Sequence, residues 1–265
     1  MKNKKPLILI SNDDGFRAKG LNCLIEMLKD LGDILVCAPD AARSGFACAF
    51  SAVDVLRLTK RSEMPGVEVW SCNGTPVDCL KLALNQLCGD RQPAIVIGGI
   101  NHGDNASVNV HYSGTMGIAI EGCMKYLPSV AFSICDYRED ADFEPLRPLV
   151  RHIVQKILRE GLPLGVCLNV NFPLGEWKGV RVCRMARGTW YNECVKESHP
   201  RGYDYYWMVG SYRNDEPEAE DTDNWALTHG YVAITPTQYD VTHYGMMKEM
   251  GAWDFPDELL KNSGQ

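Results

Sequence analysis

Asp13 and Asp14 are adjacent carboxylates in Ser11-Asn12-Asp13-Asp14-Gly15, directly after the apolar run Leu7-Ile8-Leu9-Ile10. Paired acids at a strand mouth suit a hard divalent cation, which takes oxygen ligands. The same letters suit a turn or helix N-cap, and taken alone they favour that reading. Three other segments could converge on them. Ser44, in the loop from Ala38-Pro39-Asp40 to Ser44-Gly45, offers a hydroxyl oxygen, although an ordinary polar loop reads the same way. Asn101, in Gly98-Gly99-Ile100-Asn101-His102-Gly103-Asp104-Asn105, offers an amide oxygen, and the neighbouring His102 reads more simply as a structural or exposed side chain. Tyr112-Ser113-Gly114-Thr115 falls at a predicted helix start, where free amides and hydroxyls suit a phosphate. An N-cap followed by a closely packed glycine explains that segment equally well.

The elements that would position these residues form an α/β pattern. A run as apolar as residues 7–10 reads as a strand buried on both faces, so the acids emerge at the carboxyl edge of a parallel sheet, where ligands bind in open α/β folds. Leu21, Leu24, Ile25, Leu28 and Leu31 recur at helical spacing, and residues 34–38 form the next apolar run. Val77, Leu80, Leu84 and Leu87 mark a second helix with Pro76 in its first turn, followed by a strand over residues 94–97 that Gly98-Gly99 is expected to end. A helix from about Ser113, a strand over 130–134, a helix through Leu146, Leu149, Val150, Ile153 and Ile157, and a strand over 167–170 complete the core. From about Glu176 the texture turns to short aromatic-rich segments that read as antiparallel hairpins, and the acidic stretch 214–223 reads as a solvated loop. The expectation is one domain over residues 1–265, with a core to 175 and an extension over 176–265.

Two carboxylates, a hydroxyl, an amide and a helix N-terminus make a coherent site for metal-assisted hydrolysis of a phosphate ester. The chain has no Walker A lysine loop and no Gly-x-Gly-x-x-Gly after its first strand, which weakens kinase and dehydrogenase readings. Hydrophobic residues at 45% and charged residues at 23% are ordinary globular proportions for 265 residues. A net charge of -7 without a basic cluster argues against nucleic-acid binding. The apolar stretch after the basic start Met1-Lys2-Asn3-Lys4-Lys5 is too short for a signal peptide or a membrane span. Eleven cysteines without zinc or redox spacing then read as reduced core thiols of a cytoplasmic protein.

These segments resemble the SurE family of survival protein E nucleotidases. The resemblance rests on Asn12-Asp13-Asp14-Gly15, Asp40 with Ser44-Gly45, Gly74-Thr75-Pro76-Val77-Asp78-Cys79, Gly99-Ile100-Asn101-His102-Gly103 with Asn105, Tyr112-Ser113-Gly114-Thr115 and Glu121-Gly122. It continues through Asn169-Val170-Asn171-Phe172-Pro173, Thr222-Asp223, Gly230-Tyr231 and Thr235-Pro236. It implies a Rossmann-like core, a mostly parallel sheet flanked by helices, and a C-terminal β-hairpin extension that exchanges between subunits of a homodimer or homotetramer. It implies a phosphatase for nucleoside 5′- and 3′-monophosphates, in some members also for polyphosphate, using one divalent ion per subunit, Mg²⁺ or Mn²⁺. By motif, Asp13, Asp14, Ser44 and Asn101 would hold the metal, with Asp13 and Asp14 catalytic. Asn12, Ser113, Gly114 and Thr115 would hold phosphate. The chain departs from the commoner pattern over residues 105–111, where a glycine and acidic residues are more usual, and at Met116, where valine is. Two other classes remain open: a non-catalytic nucleotide and metal sensor, and a receiver-like signalling domain. The receiver needs a phosphoacceptor aspartate where Asn101 stands and about half this length.

Overall fold

Leu7–Ser11 (β1) is buried at every position, as an unbroken apolar run predicts for a strand covered on both faces. The computed structural model describes residues 5–253. The basic Met1-Lys2-Asn3-Lys4 and residues 254–265 of the expected extension lie outside the described residues. After β1 come Lys19–Leu28 (α1), Asp33–Pro39 (β2), Leu58–Met64 (β3), Val67–Cys72 (β4), Pro76–Leu82 (α2), Ile95–His102 (β5), Gly114–Met124 (α3), Ser129–Ile134 (β6), Arg147–Glu160 (α4) and Val166–Phe172 (β7). The later part holds Val180–Val182 (β8), Gly188–Tyr191 (β9), Cys194–Ser198 (β10), Asp204–Met208 (β11), Ser211–Asn214 (β12), Asp223–Thr228 (α5), Val232–Gln238 (β13) and Tyr244–Met250 (α6).

Nine strands form one mixed sheet in the order β3-β4-β2-β1-β5-β6-β7-β13-β8. The run from β4 to β7 is wholly parallel. Taken in chain order, its six strands lie 3-2-1-4-5-6, the order of a doubly wound sheet whose direction of winding reverses between β1 and β5. The crevice at that reversal lies beyond the carboxyl ends of β1 and β5, where Asp13 follows one strand and Asn101 ends the other. Helices cover both faces. α1 and α4 bury Leu21, Leu24, Val150 and Ile153 against one, while α2 and α3 bury Leu80 and Ile118 against the other.

The sheet does not stop at residue 170. β13 pairs antiparallel with β7 and parallel with β8, so the segment after Glu176 returns two strands to the main sheet. The expected hairpin texture appears as two separate antiparallel pairs, β9 with β12 and β10 with β11. The acidic stretch is not uniformly solvated, because Asp223 at its end is fully buried. Its carboxylate accepts hydrogen bonds from the backbone amides of Ser107, Ala186 and Asn224, which satisfy the charge inside the protein.

Strand β5 also departs from expectation. It runs through Gly98-Gly99 to His102 instead of ending there, and its register against β6 shifts between Gly98 and Asn101. The glycines serve close approach, not a turn. A Cβ on Gly98 would sit 2.5 Å from the Thr115 carbonyl oxygen, and one on Gly99 would sit 2.4 Å from that of Phe132. A bulge of this kind re-aims the residues that follow it, here Asn101. Gly98→Ala should therefore separate α3 from β5 and destabilise the protein by about 1–3 kcal/mol, the usual cost of overpacking. Urea unfolding measures this, and an unchanged midpoint would remove the steric account of the glycine.

Candidate active site

Asn12 and Asp13 are buried immediately beyond β1, and each is held by a different neighbour. The Asn12 amide donates to the Gly15 carbonyl at 3.0 Å, closing the turn, and its Oδ1 is left without a partner. Asp13 Oδ1 accepts from the Thr115 hydroxyl at 2.5 Å, on the first turn of α3. This approach needs Gly114, since a Cβ there would lie 2.8 Å from that of Asp13. Burial pushes the Asp13 carboxyl up to about 6, opposed by the Thr115 hydroxyl and then reinforced by the charge of Asp14. Asp14 is less buried, stands beside His102 and is also raised by burial, with the His102 charge opposing. Its Oδ2 has no hydrogen-bond partner.

Ser44 lies in a long loop stitched down at several points. The Arg43 amide donates to the Asp13 carbonyl at 2.6 Å and the Ala47 amide to the Tyr112 carbonyl at 3.1 Å, so Ser44 is pinned between the β1 turn and the start of α3. Farther along, Ser51 donates from both its amide and its hydroxyl to Asp78, and Thr75 donates to the Ala49 carbonyl. Thr75 and Asp78 also form the capping box of α2. The Gly74-Thr75-Pro76-Val77-Asp78 motif thus starts a helix and anchors the Ser44 loop with the same two side chains.

Asn101 donates its amide to the Gly103 carbonyl at 2.9 Å, which leaves its oxygen as the outward group. The segment behind it is fixed by three asparagines. Asn105 donates its backbone amide to Asn171 Oδ1 at 2.7 Å and its side-chain amide to the Ser133 hydroxyl, while Asn169 donates to the Asn105 carbonyl. Asn171 closes the network on Asn169 at 2.8 Å. The sequence signal for this support was two asparagines two residues apart on one face of the buried strand β7.

Ser113 is the N-cap of α3 and accepts from the Met116 amide at 3.0 Å, so the capping reading of this residue is realised. Its own hydroxyl proton remains available to donate. Thr115 is fully buried and spends its hydroxyl on Asp13. Asp13, Ser44, Asn101, His102 and Ser113 line one cavity of about 360 Å³. A larger cavity of about 870 Å³ beside Trp177 and Leu174 contains Asp136, but that carboxylate is paired with Arg138.

The donor set is wholly oxygen: two carboxylates, one hydroxyl and one amide. Two buried oxygens, Asn12 Oδ1 and Asp14 Oδ2, are left unpaired beside two carboxyls that burial raises, with the Asp14 charge adding to the effect on Asp13. Uncompensated buried oxygen lone pairs beside two acids are the surroundings a hard divalent cation would satisfy.

A family model described as Survival protein SurE matches residues 8–192 of this chain. The chain belongs to the SurE family. The 5′-nucleotidase SurE of Phocaeicola vulgatus is 55% identical over 255 residues, covering 96% of this chain and 99% of its own. That of Bacteroides fragilis is 52% identical over 257 residues, covering 96% of this chain and all of its own. Among solved structures, the SurE protein from Aquifex aeolicus superimposes with a TM-score of 0.78 at 35% identity, covering 92% of this chain and 98% of that one. The expected α/β architecture with a mostly parallel, helix-flanked sheet is the fold of this family. Among the described residues no helix is long and apolar enough to cross a membrane.

The raised carboxyl of Asp13 sets a pH dependence for the metal-free protein. A carboxyl at about 6 when folded and 3.8 when unfolded binds more protons in the folded state between those values. Its contribution to stability therefore falls as pH rises through that window, by roughly 3 kcal/mol in all. Thermal unfolding in chelator should show the wild type gaining stability relative to Asp13→Asn as pH is lowered from 7 to 4. Parallel pH curves for the two proteins would contradict the buried, charge-strained state assigned to Asp13.

Proposed function

We propose that this chain is a divalent-metal-dependent phosphatase that hydrolyses nucleoside 5′-monophosphates to nucleoside and phosphate, with the 3′-isomers as a second class to assay. The observation that carries the reading is the shared cavity, in which Asp13, Ser44 and Asn101 meet Ser113 at the start of α3. The 5′-nucleotidase name of relatives more than half identical over nearly the whole chain supports the substrate.

Asp13, Asp14, Ser44 and Asn101 would hold one Mg²⁺ or Mn²⁺. When bound, such an ion supplies charge for the phosphoryl oxygens and makes water easier to deprotonate. The protein's own groups do the rest. Thr115 and Gly114 fix Asp13, so the carboxylate needs no reorganisation during reaction. The Ser113 hydroxyl and the amide of Gly114, at a helix start, would donate to the phosphate, and Asn12 would hold it from the β1 side. Asp14, with one oxygen unpaired, would accept the proton of the attacking water. Water would add in line to phosphorus as the bond from phosphorus to the ribose oxygen breaks, and that oxygen would take a proton from solvent to leave as the nucleoside hydroxyl.

Association through the C-terminal extension into a homodimer or homotetramer is part of the same proposal. On β10 and β11, Val195, Tyr205, Tyr206, Trp207 and Met208 are all exposed, with Met208 at 77% and Trp207 at 61%. Exposed apolar side chains clustered on one hairpin mark a protein-binding surface. Excising residues 194–208 should convert the assembly to a monomer by size-exclusion light scattering, and an unchanged mass would place the interface elsewhere.

Phosphate release across a panel of nucleoside monophosphates, with Mg²⁺, Mn²⁺ or chelator, tests the activity. Asp13→Asn and Asn101→Ala should each lower metal-dependent turnover by about 10²–10³-fold, the range for losing one transition-state charge contact, with the circular dichroism of the wild type. Wild-type turnover in both variants would defeat the site. Tight binding of nucleotide with Mg²⁺ but no phosphate release would make the protein a sensor instead.

A further inference from the structure

Three thiols meet beneath the turn that anchors the Ser44 loop, and the phosphatase chemistry uses none of them. Cys37 on β2, Cys72 at the end of β4 and Cys79 in α2 pack in one apolar cluster, at 0%, 1% and 0% exposure. The Cys79 thiol is hydrogen-bonded to the sulfurs of both Cys37 and Cys72. The Cys72 sulfur also accepts from the Gly74 amide at 3.3 Å and lies 3.8 Å from Oδ1 of the exposed Asn73. It therefore sits one residue's depth below the surface, within reach of a water-sized reagent and closed to a bulky one.

The two sulfurs are not equivalent. The hydrogen bond from Cys79, opposed by burial and assisted by the Gly74 amide, brings the Cys72 thiol down to about 7. Burial first, and the neighbouring sulfurs second, hold the Cys79 thiol up. Cys72 thus carries thiolate at neutral pH, the form that reacts with oxidants, and a protonated thiol stands beside it. The hydrogen-bonded pair Cys123 and Cys167 lacks this asymmetry, because burial raises both, the latter to about 12.

The residues between Cys72 and Cys79 connect the pair to the site. Asn73 accepts from the Arg57 amide, donates to the Val55 carbonyl and receives the Arg43 guanidinium on its own carbonyl. Thr75 and Asp78 hold Ala49 and Ser51. Residues 73–78 therefore grip both ends and the middle of the Ser44 loop. A disulfide requires its sulfurs at about 2 Å, closer than hydrogen-bonded thiols stand, so a bridge from Cys72 to Cys79 must draw this turn together.

We propose that Cys72 and Cys79 form a peroxide-sensitive dithiol whose oxidation to a disulfide displaces the Ser44 loop and lowers phosphatase turnover. The loss of turnover rests on the phosphatase reading, and the bridge itself does not. The Cys72 thiolate attacks one oxygen of hydrogen peroxide, the O–O bond breaks, and hydroxide leaves to take a proton from solvent as water. The Cys79 sulfur then attacks the sulfur of the Cys72 sulfenic acid, the S–O bond breaks, and that oxygen departs with the Cys79 proton as a second water. The two thiols together lose two electrons, which reduce one peroxide.

Trypsin releases both cysteines in one peptide, residues 62–81, because Arg61 precedes it and Lys81 ends it. After hydrogen peroxide, with free thiols alkylated before digestion, that peptide should be lighter than its reduced form by two hydrogens and carry no alkyl group. Phosphate release from adenosine monophosphate with Mg²⁺ should fall about 10²-fold, the scale of loss when a site group is misplaced by an ångström, and return with dithiothreitol. Cys72→Ala and Cys79→Ala should each keep their own turnover through the same treatment. A peptide with both thiols alkylated, a bridge to Cys37, a bridge with unchanged turnover, or an equal loss in Cys72→Ala overturns the inference. Should either alanine variant fail to fold, the wild-type peptide mass and the recovery with dithiothreitol still decide. If the reduced wild type releases no phosphate, the phosphatase reading fails, and tryptic cleavage of the native protein at Arg43 and Arg57 decides instead. Faster cleavage after peroxide, reversed by dithiothreitol, supports displacement of the loop, and equal rates overturn it.

Discussion

A carboxylate taken out of water is tolerated only where other groups replace its hydration, and at the carboxyl end of β1 Asp13 meets that constraint. Its partner is Thr115, on the first turn of the helix that packs behind β5. For the two to touch, the helix must come to the β1 turn and to β5 at distances no Cβ would allow, which fixes glycine at 114 and 98. The hydrogen bond, the glycines and the sheet order express one requirement: β1, β5 and the start of α3 meet at the point where the sheet reverses its winding.

The other site residues depend on that meeting. Ser44 is carried on a loop whose amides bond to Asp13 and Tyr112, so its position follows from theirs. Asn101 is aimed by the irregularity in β5 and backed by the asparagine network from β7. Glu121, buried on α3, pairs with Lys81 of α2 at 2.6 Å and joins the helix bearing Thr115 to the one that anchors the Ser44 loop. Among the polar groups gathered here, the Asn12 and Asp14 oxygens, with the Ser11 hydroxyl just before them, are buried without a hydrogen-bond partner. That imbalance is what a bound cation would correct.

Much of the frame was legible in the sequence. Fully apolar strands, helical spacing and a Pro at the first turn of α2 are local signals, and their elements appear where expected. The signals failed where a residue's role was set by something distant in the chain. Gly98-Gly99 reads locally as a strand end, yet the reason for it is a carbonyl on α3. Thr115 reads as a phosphate donor until Asp13 takes its hydroxyl. Asp223 reads as part of a solvated run until three amides from Ser107, Ala186 and Asn224 surround it. Trp190 carries no motif, and its arrival at the cavity depends on the fold of the hairpin segment around β9 and β12. The family resemblance supplied residue roles that spacing alone left balanced against capping and turn chemistry.

The central claim is that Asp13, Asp14, Ser44 and Asn101 hold one divalent cation while Thr115 keeps Asp13 in place. Anomalous diffraction from crystals grown with Mn²⁺ tests it most directly. The account predicts a single strong peak per subunit within coordinating distance of oxygens from those four residues, with the Thr115 to Asp13 hydrogen bond retained. A peak confined to another cavity, or one that engages Asp13 only after Thr115 has released it, would contradict the account.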